Sequence, residues 1–375
     1  MSDRAIVRLE NELCAGKLPE FVCAECPVRH TRILYFCALF LSAHCLDVPV
    51  LGGGFGRNVE TRDREAMNPT DKEIDVQWPD IQELFLQEWW WDAVCPPAER
   101  LVLGLDEAAG SAGAAFWPLA KVKRYGGLFS VLSMPPLTQH SGPWLDSRVR
   151  FPDLLACLPR SASLKLNLGF ALNEKEIRQA RQAGIRVSEG STYVIRDCRD
   201  LEKVFASVKP AQQRQIRKGM RNLHLLPEAD AEMLISLQQE TFARQGRKSP
   251  YPEKVVRSLC EAVQRHEAGR LVALADADEN VMACGLFVWD NNRCYSLTHG
   301  FHKTGQNVGA GSLLQWEGIR IAAEKGLVFD FEGSNIESIA RFNSSFGAIK
   351  ETYSRLERYS WGMKMLEKVS ILLKG

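Results

Sequence analysis

Gln306-Asn307-Val308-Gly309-Ala310-Gly311-Ser312 is the stretch on which the fold turns. It stands between an apolar run, Arg293–Phe301, and an amphipathic one, Gly311–Lys325, so it joins a strand to a helix. Glycines at 309 and 311 let the backbone come close to a ligand. The helix that follows offers unpaired N–H groups and the positive end of its dipole. Such a turn suits a pyrophosphate. No Lys-Ser/Thr pair follows Gly311, which excludes a Walker A loop, and the GxGxxG spacing is absent. The same glycines equally suit a plain strand-to-helix turn, and the loop by itself leaves both readings open.

Outward from this turn the pattern alternates. Downstream, Val328–Phe331 reads as a buried strand, Asn335–Phe346 as a helix and Glu351–Tyr359 as a final strand, with Met363–Leu373 suited to a short amphipathic helix. Upstream, strands are predicted at Leu271–Ala275 and Val281–Trp289, with Asp278-Glu279-Asn280 and Asp290-Asn291-Asn292 as turns. Helices are predicted near Asp200–Val208, Ala211–Arg221, Ala229–Gln245 and Pro252–Glu267.

The segment from Pro79 to Asp197 has a similar order. Pro79 opens a helix with Ile81, Leu84, Phe85 and Trp89 at helical spacing. Strands follow at Leu101–Leu105, Ala114–Val122 and Leu128–Met134, then a short helix at Phe151–Leu158 and a strand at Leu164–Leu172. A helix over Glu174–Ala183 is closed by Gly184, and short strands at Ile185–Val187 and Thr192–Asp197 end this half. Two α/β halves of similar order imply a duplicated fold with its boundary near residue 200. Trp89-Trp90-Trp91 reads as core, not as a stacking platform.

At 375 residues, 45% hydrophobic and 25% charged, the chain holds enough core for two domains. Lys plus Arg number 47 against 46 Asp plus Glu, a net charge of +1 that argues against a dedicated nucleic-acid binder. The eleven cysteines are odd in number and scattered, as reduced thiols in a cytoplasm are. Cys23-Ala24-Glu25-Cys26 with His30 makes at most half a zinc site, and no metal is expected. The apolar run Ile33–Ala43 is too short to span a membrane. It suits a signal core after Arg29 and Arg32, or lies upstream of a translation start at Met67. Residues 1–74 are therefore read as an N-terminal extension without a legible fold.

Gln-x-x-Gly-x-Gly between a central strand and a helix resembles the acyl-CoA pyrophosphate loop of the GNAT acetyltransferase superfamily. Phe329-Asp330-Phe331-Glu332-Gly333-Ser334, followed by Asn335 through Phe346-Gly347, is similar to the C-terminal half of FemAB-like proteins, which carry two GNAT domains in tandem. Trp90-Trp91-Asp92-Ala93-Val94-Cys95, and Pro118-Leu119 leading into Tyr125-Gly126-Gly127, resemble the first domain of that group. The resemblance covers residues 75 to 360. It implies a mixed-sheet α/β fold of two tandem GNAT-like domains: a degenerate one at 75–199 and a donor-binding one at 200–375.

The same resemblance implies roles for particular residues. Backbone groups of Val308, Gly309, Ala310, Gly311 and Ser312, with Gln306 at its motif position, would cradle the pyrophosphate of acetyl-CoA or another acyl-CoA. Asn335 falls near the pantetheine. Seven residues on, where the family often has a tyrosine that protonates the leaving thiolate, this chain has Phe342, and Tyr353 is the substitute. In the first half only Pro135-Pro136-Leu137-Thr138-Gln139-His140-Ser141-Gly142 stands where a donor loop would be, so a donor site there is expected to be lost.

Acyl transfer to an amine needs a base. Glu332 ends its strand and Asp330 stands two residues earlier on the same face; either would alternatively cap the next helix or pair with an arginine. His299 suits a base near neutral pH and equally a structural place at a strand end; His302 is the weaker candidate. Arg214, Arg217, Lys218 and Arg221 form a basic stripe, extended by Arg244, Arg247 and Lys248. The resemblance sets such a helix near an anionic acceptor or an RNA-borne donor, while a solvated helix face is the plain alternative. Ser141 and Cys157 belong to no triad. The leading expectation is a cytoplasmic acyltransferase that moves an acyl group from acyl-CoA to the amine of a small molecule or cell-wall precursor, without a membrane span. The alternatives are a FemAB-type peptidyltransferase using aminoacyl-tRNA as donor, and a non-catalytic binding protein, which Phe342 favours.

Overall fold

Three antiparallel strands followed by a crossover to a parallel fourth occur twice in this chain. The computed structural model describes residues 78–363 apart from 106–113, 125–126, 128, 160–162, 334–335 and 361. The expectations for residues 1–74, for Asn335 and, beyond its first residue, for a closing helix over Met363–Leu373 fall outside them. The first set of strands is β1 (Arg100–Leu105), β2 (Ala115–Arg124), β3 (Phe129–Ser133) and, in parallel with β3, β5 (Ser163–Asn167); a two-residue β4 (Trp144–Leu145) pairs with β2. Strand β6 (Arg186–Ile195) follows, and β7 (His224–Leu225) edges the second set. That set is β8 (Gly269–Ala275), β9 (Val281–Trp289), β10 (Arg293–Phe301) and, in parallel with β10, β11 (Val328–Gly333), with β12 (Ile349–Arg358) after it.

All twelve strands join one sheet. Along its main path the order is β1-β2-β3-β5-β12-β6-β11-β10-β9-β8-β7. The two halves have exchanged their last strands: β12 lies against β5 of the first half, and β6 lies against β11 of the second, with β12 and β6 paired through nine residue positions in between. The mixed α/β fold expected from the sequence is what the structure has.

The helices are α1 (Glu88–Val94), α2 (Phe151–Leu155), α3 (Glu174–Gln182), α4 (Leu201–Ser207), α5 (Pro210–Asn222), α6 (Ala231–Ala243), α7 (Glu253–Arg265), α8 (Gly305–Val308), α9 (Ala310–Lys325) and α10 (Glu337–Ser344). In the second half they sort onto the two faces of the sheet. Ile216 of α5 and Leu313, Leu314 and Ile319 of α9 pack with Phe287 and Phe329 on one face. Trp90 and Trp91 of α1, Leu234 of α6 and Leu259 of α7 pack with Leu286, Val288, Tyr295 and Leu297 on the other. Neighbouring residues 286, 287 and 288 go to opposite faces, as the pleat requires. Trp90 and Trp91 are wholly buried, the core role their sequence suggested.

Two local expectations need correction. The helix predicted from Pro79 is broken: Leu84–Leu86 forms a 3-10 turn, Gln87 is extended at φ −70° and ψ 138°, and only then does α1 begin. The carbonyls a continuous helix would use are taken by side chains instead. Trp78 Nε1 donates to the Leu86 carbonyl (2.6 Å), Trp91 Nε1 donates to that of Phe85 (2.9 Å) and Gln87 Nε2 to that of Ile81. The two short strands predicted at 185–187 and 192–197 are one strand, β6. Gly190, between the two predicted stretches, is there because Tyr353 fills the space above it: a Cβ would stand 2.3 Å from the tyrosine ring.

The joint between α8 and α9 is a single left-handed residue, Gly309, at φ 82°. A Cβ there would lie 2.5 Å from the Gln215 carbonyl oxygen and 2.9 Å from the Gly219 nitrogen, both on α5. A Cβ at Gly311 would meet nothing nearer than the Phe301 ring at 3.6 Å. Gly309→Ala should therefore lose at least about 2 kcal/mol in urea unfolding, from the left-handed backbone plus the clash. Gly311→Ala should stay within about 1 kcal/mol of wild type. Equal losses at the two positions would show that α5 does not fix this turn.

Candidate functional site

β10 and β11 pair only through Arg293–Tyr295 and Val328–Asp330. Beyond that, β10 bulges against β9 between Ser296 and Thr298, and β11 loses register with β6 between Asp330 and Gly333. The strands part, leaving an opening between Ser296–Phe301 and Phe331–Gly333. Bulges gather where a sheet is re-aimed around a site.

The bend in β11 has a local cause. Asp330 Oδ1 accepts the Glu332 backbone N–H at 2.8 Å, and Glu332 takes a left-handed φ of 61°, an Asx-type turn inside a strand. Asp330 also accepts from the Thr192 hydroxyl and from Arg293 Nη1 (2.8 Å). With all these donors on a carboxyl only 5% exposed, Asp330 is an anchor paired to an arginine and does not face the opening.

Glu332 turns toward the α6 and α7 layer. Burial, reinforced by the charge of Asp330, pushes its carboxyl well above the ordinary range. Its own charge in turn contributes to raising the phenols of Tyr251 and Tyr295, after burial. Tyr353 stands beside the same strand end: a Cβ at Gly333 would lie 2.9 Å from its Oη and 3.0 Å from Gln139 Nε2. Arg355 Nη2 donates to that Oη at 3.2 Å. Tyr353 is thus placed beside Gly333, the residue after Glu332.

His299 is placed with α9. Its Nε2 is 2.7 Å from Ser296 Oγ and 3.1 Å from Gln315 Nε2, while Ser296 Oγ donates to Gln315 Oε1 at 2.9 Å. Burial lowers its pKa to about 4, so the imidazole is neutral at pH 7. This network holds the bulged half of β10 against α9.

Gln306 and Val308 lie in α8, a helical turn, not an open loop. Gly309 faces α5, and the Ser312 hydroxyl accepts from buried Gln212 Nε2 at 2.9 Å. Ala310, Gly311 and Ser312 form the first turn of α9, whose N–H groups have no intrahelical acceptor. The candidate cradle is therefore narrower than the sequence suggested and centres on Gly311. Arg214 and Arg217 are exposed on α5 and Lys218 half-exposed, with the Arg217 guanidinium 5.1 Å from the Phe205 ring. They belong to the α9 layer, away from Glu332 and Tyr251. Gln139, Tyr251 and Arg293 were not singled out in the sequence. Gln139 and Tyr251 come from distant segments, and Arg293 ties β10 to Asp330 and Glu351; no spacing signals these contacts.

His140, next to Gln139, is held near pKa 4 by burial and then by Arg293. Unfolded histidine titrates near 6.5, so between pH 6.5 and 4 the folded state binds fewer protons and these two residues cost stability as pH falls. The drop in melting temperature from pH 7 to pH 4.5 should be smaller in His140→Gln/His299→Gln than in wild type. An identical drop would mean that neither imidazole is held neutral.

Residues 211–337 match the family described as an acetyltransferase (GNAT) domain. No curated protein sequence matches the chain. The crystal structure of FemX is similar at TM-score 0.52 and 12% identity, over 71% of this chain and 89% of that one. The C-terminal domain of a putative lysylphosphatidylglycerol synthetase from Agrobacterium fabrum gives TM-score 0.47 and 12% identity, over 73% and 88%. A tandem GNAT protein from the clavulanic acid biosynthesis pathway gives 0.42 and 10%, over 72% and 84%. Among the described residues, no helix is long and apolar enough to cross a membrane.

Proposed function

We propose that this chain, a GNAT-fold protein with its GNAT domain at residues 211–337, transfers an acyl group from an acyl-CoA thioester to the amine of a second substrate. The observation that carries this reading is the parting of β10 from β11 after three paired residues. The opening has the first turn of α9 on one face of the sheet and Glu332 on the other. Donor and acceptor then meet through the sheet, and holding them there supplies much of the rate.

In this reading the phosphates of the donor lie against the N–H groups of Ala310, Gly311 and Ser312, with Arg214, Arg217 and Lys218 as cations of the same layer. The acceptor arrives as an ammonium ion. Ionised Glu332 takes one proton, the nitrogen attacks the thioester carbonyl carbon, and backbone N–H groups along the parted β10 stabilise the oxyanion. The C–S bond breaks, and the sulfur leaves with the second proton shed by the nitrogen, Tyr353 being the hydroxyl nearest the strand end. A carboxyl with a raised pKa is a stronger base when ionised, which suits an ammonium donor.

One observation favours a second reading, an aminoacyl-tRNA donor. α5 fills the corner at Gly309 that a pyrophosphate loop would leave open, and it carries the basic stripe. CoA binding separates the two. CoA should raise the melting temperature saturably in wild type and not in Gly311→Glu, whose fold the open site at 311 preserves. A hundredfold excess over Kd corresponds to about 2.7 kcal/mol. No shift with CoA or any acyl-CoA sinks the acyl-CoA reading and moves aminoacyl-tRNA to the front.

With a working acceptor, kcat/KM should rise with pH through a pKa above the ordinary carboxylate range, because Glu332 must be ionised to accept the proton. Glu332→Gln should lower kcat by roughly 10²–10⁴-fold and flatten that limb. An unchanged rate and profile would remove Glu332 from the chemistry.

A further inference from the structure

A cleft of about 410 Å³ lies between α6 and α7 and the segment connecting them, with Gln238, Gln239, Arg247, Lys248, Tyr251 and Glu253 among its lining residues. We infer that this cleft is the acceptor site and that it selects an amine carrying a terminal anionic group, a carboxylate or a phosphate, held by Arg247 and Lys248. The inference rests on the acyl-transfer reading above. Its volume lies within the range of small-molecule sites, so the ligand it fits is a small molecule or the end of one.

Two lining residues of the cleft, Gln238 and Tyr251, connect it to the strands at the opening. Gln238, 2% exposed, donates through Nε2 to Thr298 Oγ1 in the bulged half of β10. Tyr251 stands close enough to Glu332 to feel its charge. A ligand whose amine lies at Glu332 therefore runs outward along Gln238 and Tyr251.

The outer end is cationic by construction. Gly246, left-handed at φ 67°, closes α6, and the Arg247 N–H donates to the Phe242 carbonyl at 3.0 Å, which fixes where the two cations leave the helix. Two neighbouring cations are engaged: Arg244 with Glu240 (2.9 Å) and the Phe301 carbonyl (2.8 Å), Arg257 with Glu232 (2.7 Å). Among the described residues, neither Arg247 nor Lys248 has an acidic partner. Glu253, the acid in the lining, accepts from Gln239 Nε2 at 2.6 Å. An anion at the far end of the acceptor gives the two free cations the partner the protein does not provide, and an arginine fork suits a planar carboxylate or a phosphate.

The test uses the full chain and three probes that share an amine and a five-carbon spacer: 5-aminopentan-1-ol, 5-aminopentanoate and 5-aminopentyl phosphate. Binding heats should show at least one anionic probe at least tenfold tighter than the alcohol, with the two anions separating carboxylate from phosphate selection. Arg247→Gln/Lys248→Gln should lose that preference while keeping the wild-type melting temperature and CoA shift, and Arg247→Lys should keep most of it. Equal binding of all three probes, binding of none, or a preference that survives the double substitution overturns the inference. CoA binding and probe preference are read separately. Absence of the preference in the wild-type chain, with CoA binding intact, overturns this site alone. A preference without CoA binding upholds the site and removes acyl-CoA as the donor.

Discussion

A carboxylate–guanidinium contact stands at the point where the central strands stop pairing. Arg293, in the first residue pair of β10, reaches Asp330 on β11 and Glu351 on β12, each at 2.8 Å. Asp330 in turn takes the hydroxyl of Thr192 on β6, and Glu351 takes Arg196 at 2.8 Å. Four strands are tied by one arginine. Buried charges are costly to leave uncompensated, so this network admits one arrangement of the strands and no slipped alternative. Past it, among the described residues, β10 and β11 no longer pair, and the Asp330-to-Glu332 turn carries β11 away. The anchor and the opening are two ends of the same three-residue pairing.

Strand exchange ties the first half of the chain into the second. β12 is added between β5 and β6, so Tyr353 and Glu351 reach the opening on a strand that both halves hold. The crossover from β3 to β5 has no long helix of its own. Its residues fold over the end of β11, where Gln139 approaches Gly333 and His140 sits beside Tyr295. A segment that reads in the sequence as a lost donor loop lies against the end of β11 in the other half.

What was legible in the sequence follows from what is local. The strands β8 to β10 and the helix α9 show in the alternation and length of apolar runs, because their burial is set by period. The continuity of β6 was not legible, since what Gly190 accommodates there is Tyr353, far along the chain. Gly309 misled. Its left-handed φ is a backbone need that any glycine-rich turn shares, while the contact that occupies its open side comes from Gly219. Glu332 was legible as a strand end, but Arg293 as the partner of Asp330 was not. Pairings between distant segments leave no spacing behind them.

Sorting charge by face gives the site its direction. α5 and the first turn of α9 put cations and N–H groups on one face of the sheet, where the proposed reading seats a phosphate-rich donor. Glu332, whose pKa burial raises, lies toward the other face, where in that reading its ionised form takes a proton from the ammonium ion. Were both on one face, the carboxyl and the donor phosphates would repel, and the basic stripe would compete for the proton acceptor. The parted strands separate them by the thickness of a sheet, so only the reacting carbonyl and the amine need to share the opening. The neutral imidazole of His299 fits that division: packed under the donor helix, it braces β10 without adding a charge between the two substrates.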